Sequence, residues 1–156
     1  MAEGVFYRIV VPTDFSICAE EAWGLAQRLA AASGAEIVLT HVLVETPLYS
    51  EGPFTMERAR QVYEAARRWA AETLEQWAVK ARGTGLTVRI VLRAGVPYQE
   101  IVDLATNERA DLVVLGTHGR GGINRALLGS VAEKVVRTAS CSVLTIRPEA
   151  FQFELP

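Results

Sequence analysis

Five short runs of branched aliphatic residues alternate along the chain with longer stretches in which apolar residues recur every three or four positions. The short runs are typical of β-strands, and the longer spacing is typical of amphipathic helices. The pattern predicts strands at residues 7–12, 36–44, 86–93, 111–116 and 142–147. Because these strands alternate with helices, the sequence predicts an α/β protein.

Capping residues mark the expected ends of the helices. Ser16 is expected to cap a first helix that ends at Gly34, and Pro97 suits the first turn of a third helix. Strong helix formers fill residues 55–82, which predicts one long helix, and a last helix is predicted at residues 130–138.

The second and fourth strands are almost continuously apolar, as expected when helices cover both faces of a sheet. Right-handed crossovers then give an open, doubly wound parallel sheet of five strands, with the alternating third strand at an edge. One domain is expected at residues 1–148, followed by a tail at 149–156 that is apolar enough to dock on the body or on a second subunit. The loop at 45–54 suits either a flap or a plain connector.

Composition and charge narrow the classes of function. The formal net charge is −2 and no block of like charges occurs, which argues against a general nucleic-acid binder. No apolar run approaches the roughly 18 residues of a membrane span, and the amino terminus does not resemble a signal peptide. We therefore expect a cytoplasmic protein that binds neither nucleic acid nor membrane.

The two cysteines, Cys18 and Cys141, lack the spacing of a metal or redox motif. We interpret them as small buried apolar residues rather than reactive thiols.

The most informative segment, residues 116–130, leaves the fourth strand and enters the last helix. Glycines allow backbone N–H groups to approach an anion, and the helix start near Ser130 adds partial positive charge. Arg120 or Arg125 can supply charged hydrogen bonds to phosphate. The alternative is a glycine-rich surface turn. The segment lacks a Walker A ending, and residues 12–16 lack the Gly-x-Gly-x-x-Gly of dinucleotide-binding proteins.

The chain resembles the ATP-binding subclass of the universal stress protein family over nearly its whole length. The nucleotide signature of that family is Gly, two residues, Gly, nine residues, then Gly followed by Ser or Thr. Here Gly116 and Gly119 enclose two residues, and nine more precede Gly129 and Ser130. Residues 10–14, 118–122 and 129–135 also match the family.

The resemblance implies the strand order 3-2-1-4-5, an adenine-nucleotide alpha-hydrolase-like fold, and a ligand at the switch point between strands one and four. It further implies that Asp14 holds the ribose or adenine, that Pro12 and Thr13 line the base, and that the Val42 backbone reaches the adenine edge. The glycine-rich segment would bind the phosphates. The residues so implied are Pro12, Thr13, Asp14, Val42, Gly116, Thr117, His118, Gly119, Arg120, Gly129, Ser130 and Val131.

Three of the polar residues have competing interpretations. Asp14 is expected to contact the ligand, although an aspartate after a strand also caps helices, a role for which Ser16 competes. His118 is expected to act through its backbone N–H rather than its ring. His41, inside a buried strand, is interpreted as a core histidine whose hydrogen bonds are satisfied.

The function that we expect is ATP binding by a regulatory or stress-response protein, with ATP alone or with Mg²⁺ or Mn²⁺ bound through its phosphates. A slow ATPase is an alternative, as is binding of AMP or cyclic AMP as a signal. A phosphoacceptor role for Asp14 is weaker, because the acidic cluster that Mg²⁺ needs is missing. The predicted site residues favour nucleotide binding over catalysis.

The resemblance also implies a homodimer. It would form through antiparallel pairing of the last strand, which begins at Ser142 and ends at Arg147. Other protein partners are not identified by the sequence.

Overall fold

The computed structural model describes residues 5–44, 53–118 and 128–147. Within these residues strands and helices alternate: β1 (Arg8–Pro12), α1 (Ile17–Ser33), β2 (Glu36–Val44), α2 (Pro53–Arg82), β3 (Val88–Gly95), α3 (Pro97–Asn107), β4 (Leu112–Gly116), α4 (Ser130–Thr138) and β5 (Ser142–Ile146).

The strands form one sheet in the order β3-β2-β1-β4-β5, and every neighbouring pair is parallel. The predicted fold class and strand order are therefore confirmed. From β1 the chain moves outward through β2 and β3, and it then returns to β4 and β5 on the other side. The carboxyl ends of β1 and β4 consequently lie side by side where the order reverses.

Two layers of apolar side chains enclose the sheet. Ile9 and Val11 pack on the face covered by α1 and α2, whereas Val10 packs on the face covered by α3 and α4. All three side chains are fully buried. Burial on both faces explains why the inner strands are apolar without alternation.

Both predicted ends of α1 are confirmed. The Ser16 side chain accepts a hydrogen bond from the Ala19 amide at 3.2 Å, which satisfies one of the free N–H groups of the first turn. At the other end Gly34 adopts a left-handed conformation with φ of 72° and donates to the Ala30 carbonyl at 2.8 Å.

Several predicted boundaries need correction. The third strand spans Val88–Gly95 rather than 86–93, because its pairing with β2 starts at Ile37 and continues to the last residue of that strand. As expected for an edge strand, β3 is half-buried over most of its length. The last strand ends at Ile146 rather than Arg147.

Smaller shifts affect the other elements. The first and fourth strands each begin one residue later than predicted, and α2 begins at Pro53 rather than at residue 55. The loop predicted at residues 45–54 lies outside the described residues except for its last two, and the tail at residues 149–156 lies outside them entirely. The division into a domain and a tail stays a prediction.

The long helix α2 has 30 residues, and its residues 56–69 are mostly exposed and rich in charged side chains. Across the described part of the chain, no helix combines the length and the apolar character that crossing a membrane would need.

Candidate functional site

A cavity of about 690 Å³ opens at the carboxyl ends of the strands, where the strand order reverses. Its volume falls within the range of small-molecule sites, and ligands of open α/β sheets bind at this position. The walls come from the ends of β1, β2 and β4 and from the first turns of α3 and α4.

One wall is the turn that follows β1. Thr13 continues the sheet by donating its amide to the Thr40 carbonyl at 2.8 Å. The Thr13 hydroxyl then accepts from the Phe15 amide at 2.9 Å, and the Asp14 carboxylate accepts from the Ser16 amide at 3.0 Å through Oδ1. Because Ser16 is the residue that caps α1, the competing capping role of Asp14 is reduced to this local bond. Thr13 and Asp14 both line the cavity.

The opposite wall begins where β4 ends. The Thr117 amide donates to the Ile146 carbonyl of β5 at 2.8 Å, and the Thr117 carbonyl accepts from the Gly129 amide at 2.6 Å. Thr117 therefore ties the start of α4 to the end of β4, although eleven residues separate Thr117 from Gly129 in the chain. The Thr117 hydroxyl lies 2.9 Å from His118 Nδ1.

Close backbone approach explains two of the signature glycines. A Cβ at Gly129 would lie 2.8 Å from the Thr117 carbonyl oxygen, and a Cβ at Gly116 would lie 2.7 Å from Cys18 Sγ and 3.0 Å from the Cys18 carbonyl carbon. The distances of 2.7 and 2.8 Å are shorter than real Cβ atoms show, so neither position accommodates a Cβ without a shift of its neighbours. Since the Gly129 N–H is already bonded to Thr117, Gly129 shapes the site and does not offer its amide to an anion. The assignment of Gly129 to the phosphate-binding segment stays a prediction.

The first turn of α4 forms part of the cavity wall. Gly129 is the N-cap and makes no side-chain capping bond. The N–H groups of Ser130, Val131 and Ala132 have no partner within the helix by geometry, and all three residues line the cavity. They carry the positive end of the helix dipole, which favours a negatively charged ligand.

Ten of the twelve predicted site residues line this one cavity: Pro12, Thr13, Asp14, Val42, Gly116, Thr117, His118, Gly129, Ser130 and Val131. The other two, Gly119 and Arg120, lie outside the described residues, as does Arg125. The cavity also has lining residues that the sequence did not indicate, namely Ala19, His41, Val44, Pro97, Ile101, Leu115, Leu128, Ala132 and Glu133. Most of these are apolar positions that carry no sequence signal for a binding site.

His41 differs from its sequence interpretation. It is half-buried rather than a core residue, it lines the cavity, and its Nδ1 lies 2.7 Å from the Thr13 carbonyl oxygen. A carbonyl oxygen can only accept, so Nδ1 carries the proton and donates. The His41 ring has a hydrogen-bond partner as expected, but that partner is a backbone carbonyl in the wall of the cavity.

Two carboxylates, Asp14 and Glu133, lie among the cavity residues, and Glu133 forms an ion pair with Arg137 at 3.1 Å. Within residues 5–44, 53–118 and 128–147 no group of three His, Cys, Asp or Glu side chains is placed to hold a metal ion.

The cysteines fit the apolar interpretation. Cys18 is buried as predicted, whereas Cys141 is only half-buried. Burial still raises the pKa of the Cys141 thiol above its ordinary value, which disfavours the reactive thiolate.

Comparison with known proteins identifies the family. The model of the universal stress protein family matches residues 6–147. The chain belongs to the universal stress protein family. Universal stress protein MJ0531 of Methanocaldococcus jannaschii is 35% identical over 150 residues, which cover 93% of this chain and 84% of the relative.

Solved structures of universal stress proteins share the fold. The structure of MJ0577 from Methanocaldococcus jannaschii has a TM-score of 0.83 and 27% identity, and the match covers 92% of this chain and 96% of that protein. A universal stress protein crystallised in complex with cAMP has a TM-score of 0.64 and 27% identity, with 90% and 96% of the two chains covered.

Proposed function

We propose that this universal stress protein binds ATP in the cavity at the carboxyl edge of its sheet and acts as a nucleotide-dependent regulatory protein. The adenosine would lie against Pro12, Thr13, Asp14 and Val42, and the phosphates would lie against the start of α4. Gly119 and Arg120 complete the proposed phosphate segment. The cytoplasm is the expected compartment.

The observation that carries this proposal is the first turn of α4, which lines the cavity and has no side-chain cap. Three backbone N–H groups there have no acceptor within the helix, and a phosphate provides several acceptors at once. The Ser130 hydroxyl adds a fourth donor at the same end of the cavity. By contrast, α1 begins at the same edge of the sheet, and its first turn is capped by the Ser16 side chain.

The base and ribose half of the proposal rests on the β1 turn. The Asp14 carboxylate accepts from the Ser16 amide through Oδ1, and a carboxylate has enough lone pairs to accept from a ribose hydroxyl as well. The cyclic nucleotide in the related crystal structure supports a site for adenine nucleotides in this family. Mg²⁺ or Mn²⁺ would be carried on the phosphates of ATP.

The test is calorimetric titration of the purified protein with ATP, AMP and cyclic AMP, after mass spectrometry of any nucleotide released on denaturation. We expect ATP to bind in preference to the other two. Asp14→Asn keeps an oxygen for the Ser16 amide but replaces the second oxygen with a donor, so it should weaken ATP binding roughly tenfold or more.

The matched control is Asp103→Asn, which removes an equal charge from an exposed position of α3 outside the cavity. Its affinity for ATP should equal that of the wild type. No binding of any of the three nucleotides, or equal affinities in the two variants, would contradict the proposal. A preference for AMP or cyclic AMP would replace ATP with a signalling nucleotide, and enzyme-proportional phosphate release would indicate the slow ATPase.

We also propose a homodimer through β5. This strand lies at the edge of the sheet, pairs with β4 on one side, and leaves its residues from Val143 to Ile146 only half-buried. Such an edge can pair with the same strand of a second chain. Light scattering at micromolar concentration should give twice the 17.0 kDa chain mass, and a monomer would refute this assembly.

A further inference from the structure

The turn after β1 holds a residue in an unusual backbone conformation. Phe15 has φ of 62°, in the left-handed region that residues other than glycine rarely adopt. It lies between Asp14, which lines the cavity, and Ser16, which caps α1. A conformation of this kind persists only where the surroundings hold it in place.

The side chain of His41 is one of the contacts that stabilise this turn. The paired register of β1 and β2 ends at Pro12 and Thr40, and the Thr13 amide adds one further bond to β2. At the Thr13 carbonyl the donor is then a side chain, His41 Nδ1, at 2.7 Å. His41 therefore extends the attachment of the turn to β2 past the end of the paired strands.

Aromatic packing around the Phe15 ring also stabilises the turn. Its centroid lies 4.8 Å from the His41 ring, 4.9 Å from the Trp69 ring and 5.7 Å from the Trp77 ring. Both tryptophan contacts are edge-to-face, which is a favourable geometry for aromatic pairs. The His41 ring thus supports the turn twice, once through the backbone of Thr13 and once through the ring of Phe15.

We infer that His41 is a positioning residue for nucleotide binding, which sets the Thr13–Asp14 turn so that the Asp14 carboxylate faces the ligand. The inference rests on the proposed function of the cavity. The donor to the Thr13 carbonyl is the decisive contribution, because a shift of that carbonyl moves the next residue, Asp14, directly. The contact between the His41 and Phe15 rings supports the same turn geometry, together with the tryptophans of α2.

Two substitutions separate the donor from the ring. His41→Asn places an amide N–H near the position of Nδ1 and removes the ring, whereas His41→Phe keeps an aromatic ring and removes the donor. We expect His41→Phe to weaken ATP binding about tenfold and His41→Asn to stay within about threefold of the wild type. Thermal unfolding of each variant, measured in parallel, reports any general loss of packing.

Amide hydrogen exchange in the free protein provides a readout without nucleotide. Exchange at residues 13–16 should be faster in His41→Phe than in the wild type and should return toward the wild-type rate in His41→Asn. Exchange across β4 should be equal in all three proteins, because the substituted residue lies in β2.

The outcomes distinguish this inference from the proposed function. If the wild type binds none of the adenine nucleotides, the proposed function fails and the inference falls with it. If the wild type binds ATP and His41→Phe binds equally well with unchanged exchange, the inference alone is wrong. If both variants lose affinity together with thermal stability, His41 is a packing residue and the inference is again overturned.

Discussion

The polar groups at the two ends of the parallel sheet are arranged differently. At the amino end, the guanidinium groups of Arg8 and Arg89 both bind Glu36, at 2.9 and 3.2 Å. Arg89 also binds both carboxylate oxygens of Glu108, at 3.0 and 2.6 Å, and Asp111 accepts from the Tyr7 and Arg8 amides at 2.7 and 2.8 Å. At the carboxyl end, the first turn of α4 lines a cavity and has no side-chain cap.

The difference shows where the fold places stability and where it leaves room for a ligand. At the amino end, charged side chains from β1, β2, β3 and the end of α3 satisfy one another across the sheet. At the carboxyl end, the turns after β1 and β4 line a cavity, and the N–H groups in the first turn of α4 have no acceptor within their helix. The two ends lie only about 16 Å apart, the length of a five-residue strand. Because the charged residues at the amino end do not line the cavity, substitutions there are expected to leave nucleotide affinity unchanged.

The largest effect is expected for Gly129→Ala at the carboxyl end. The added Cβ would lie 2.8 Å from the Thr117 carbonyl oxygen, which is also the acceptor of the Gly129 amide. Backbone on both sides must move, and the start of α4 moves with it. We expect a loss of about 1–3 kcal/mol in the free energy of unfolding and a decrease of more than tenfold in nucleotide affinity. Urea denaturation and calorimetric titration measure the two quantities.

Gly24→Ala is the control for a methyl group added to a glycine. A Cβ at Gly24, inside α1, would meet no atom within 4 Å. Alanine is the better helix former, so this variant should gain about 0.5–1 kcal/mol in stability and keep its nucleotide affinity. Equal affinities in Gly129→Ala and the wild type would show that the start of α4 does not hold the ligand.

Local sequence signals were sufficient for most of the fold. Branched aliphatic runs, the Ser16 cap and the Gly34 end reflect interactions within a few residues, and β2 and α4 have the predicted bounds. The order of the strands came instead from family resemblance, since no local pattern determines which strands are neighbours. The third strand was misplaced by two residues because its limits depend on pairing with β2.

The site was predicted less completely, because its geometry depends on contacts distant in sequence. A histidine in an apolar strand gives no sign that its Nδ1 reaches a carbonyl 28 positions earlier. Likewise, nothing near Gly116 in the sequence indicates that Cys18 occupies the space of its missing side chain. The left-handed conformation of Phe15 also had no signal, since asparagine or glycine would be the usual residue there.

Glu108→Gln at the amino end is expected to have a small effect on stability that depends on pH. Hydrogen bonds from Arg89 hold the pKa of the Glu108 carboxyl below its usual range. A carboxyl with a lowered folded-state pKa contributes stability above its unfolded pKa and loses that contribution as pH falls through the folded-state value. The free energy of unfolding of the wild type should therefore exceed that of the variant by about 1 kcal/mol at pH 7, and this difference should shrink as the pH falls toward 3. Denaturant titrations over this pH range measure the difference. Since Glu108 lies at the amino end of the sheet, nucleotide affinity at pH 7 should be the same in both proteins, and a weaker affinity in the variant would show that the two ends are coupled.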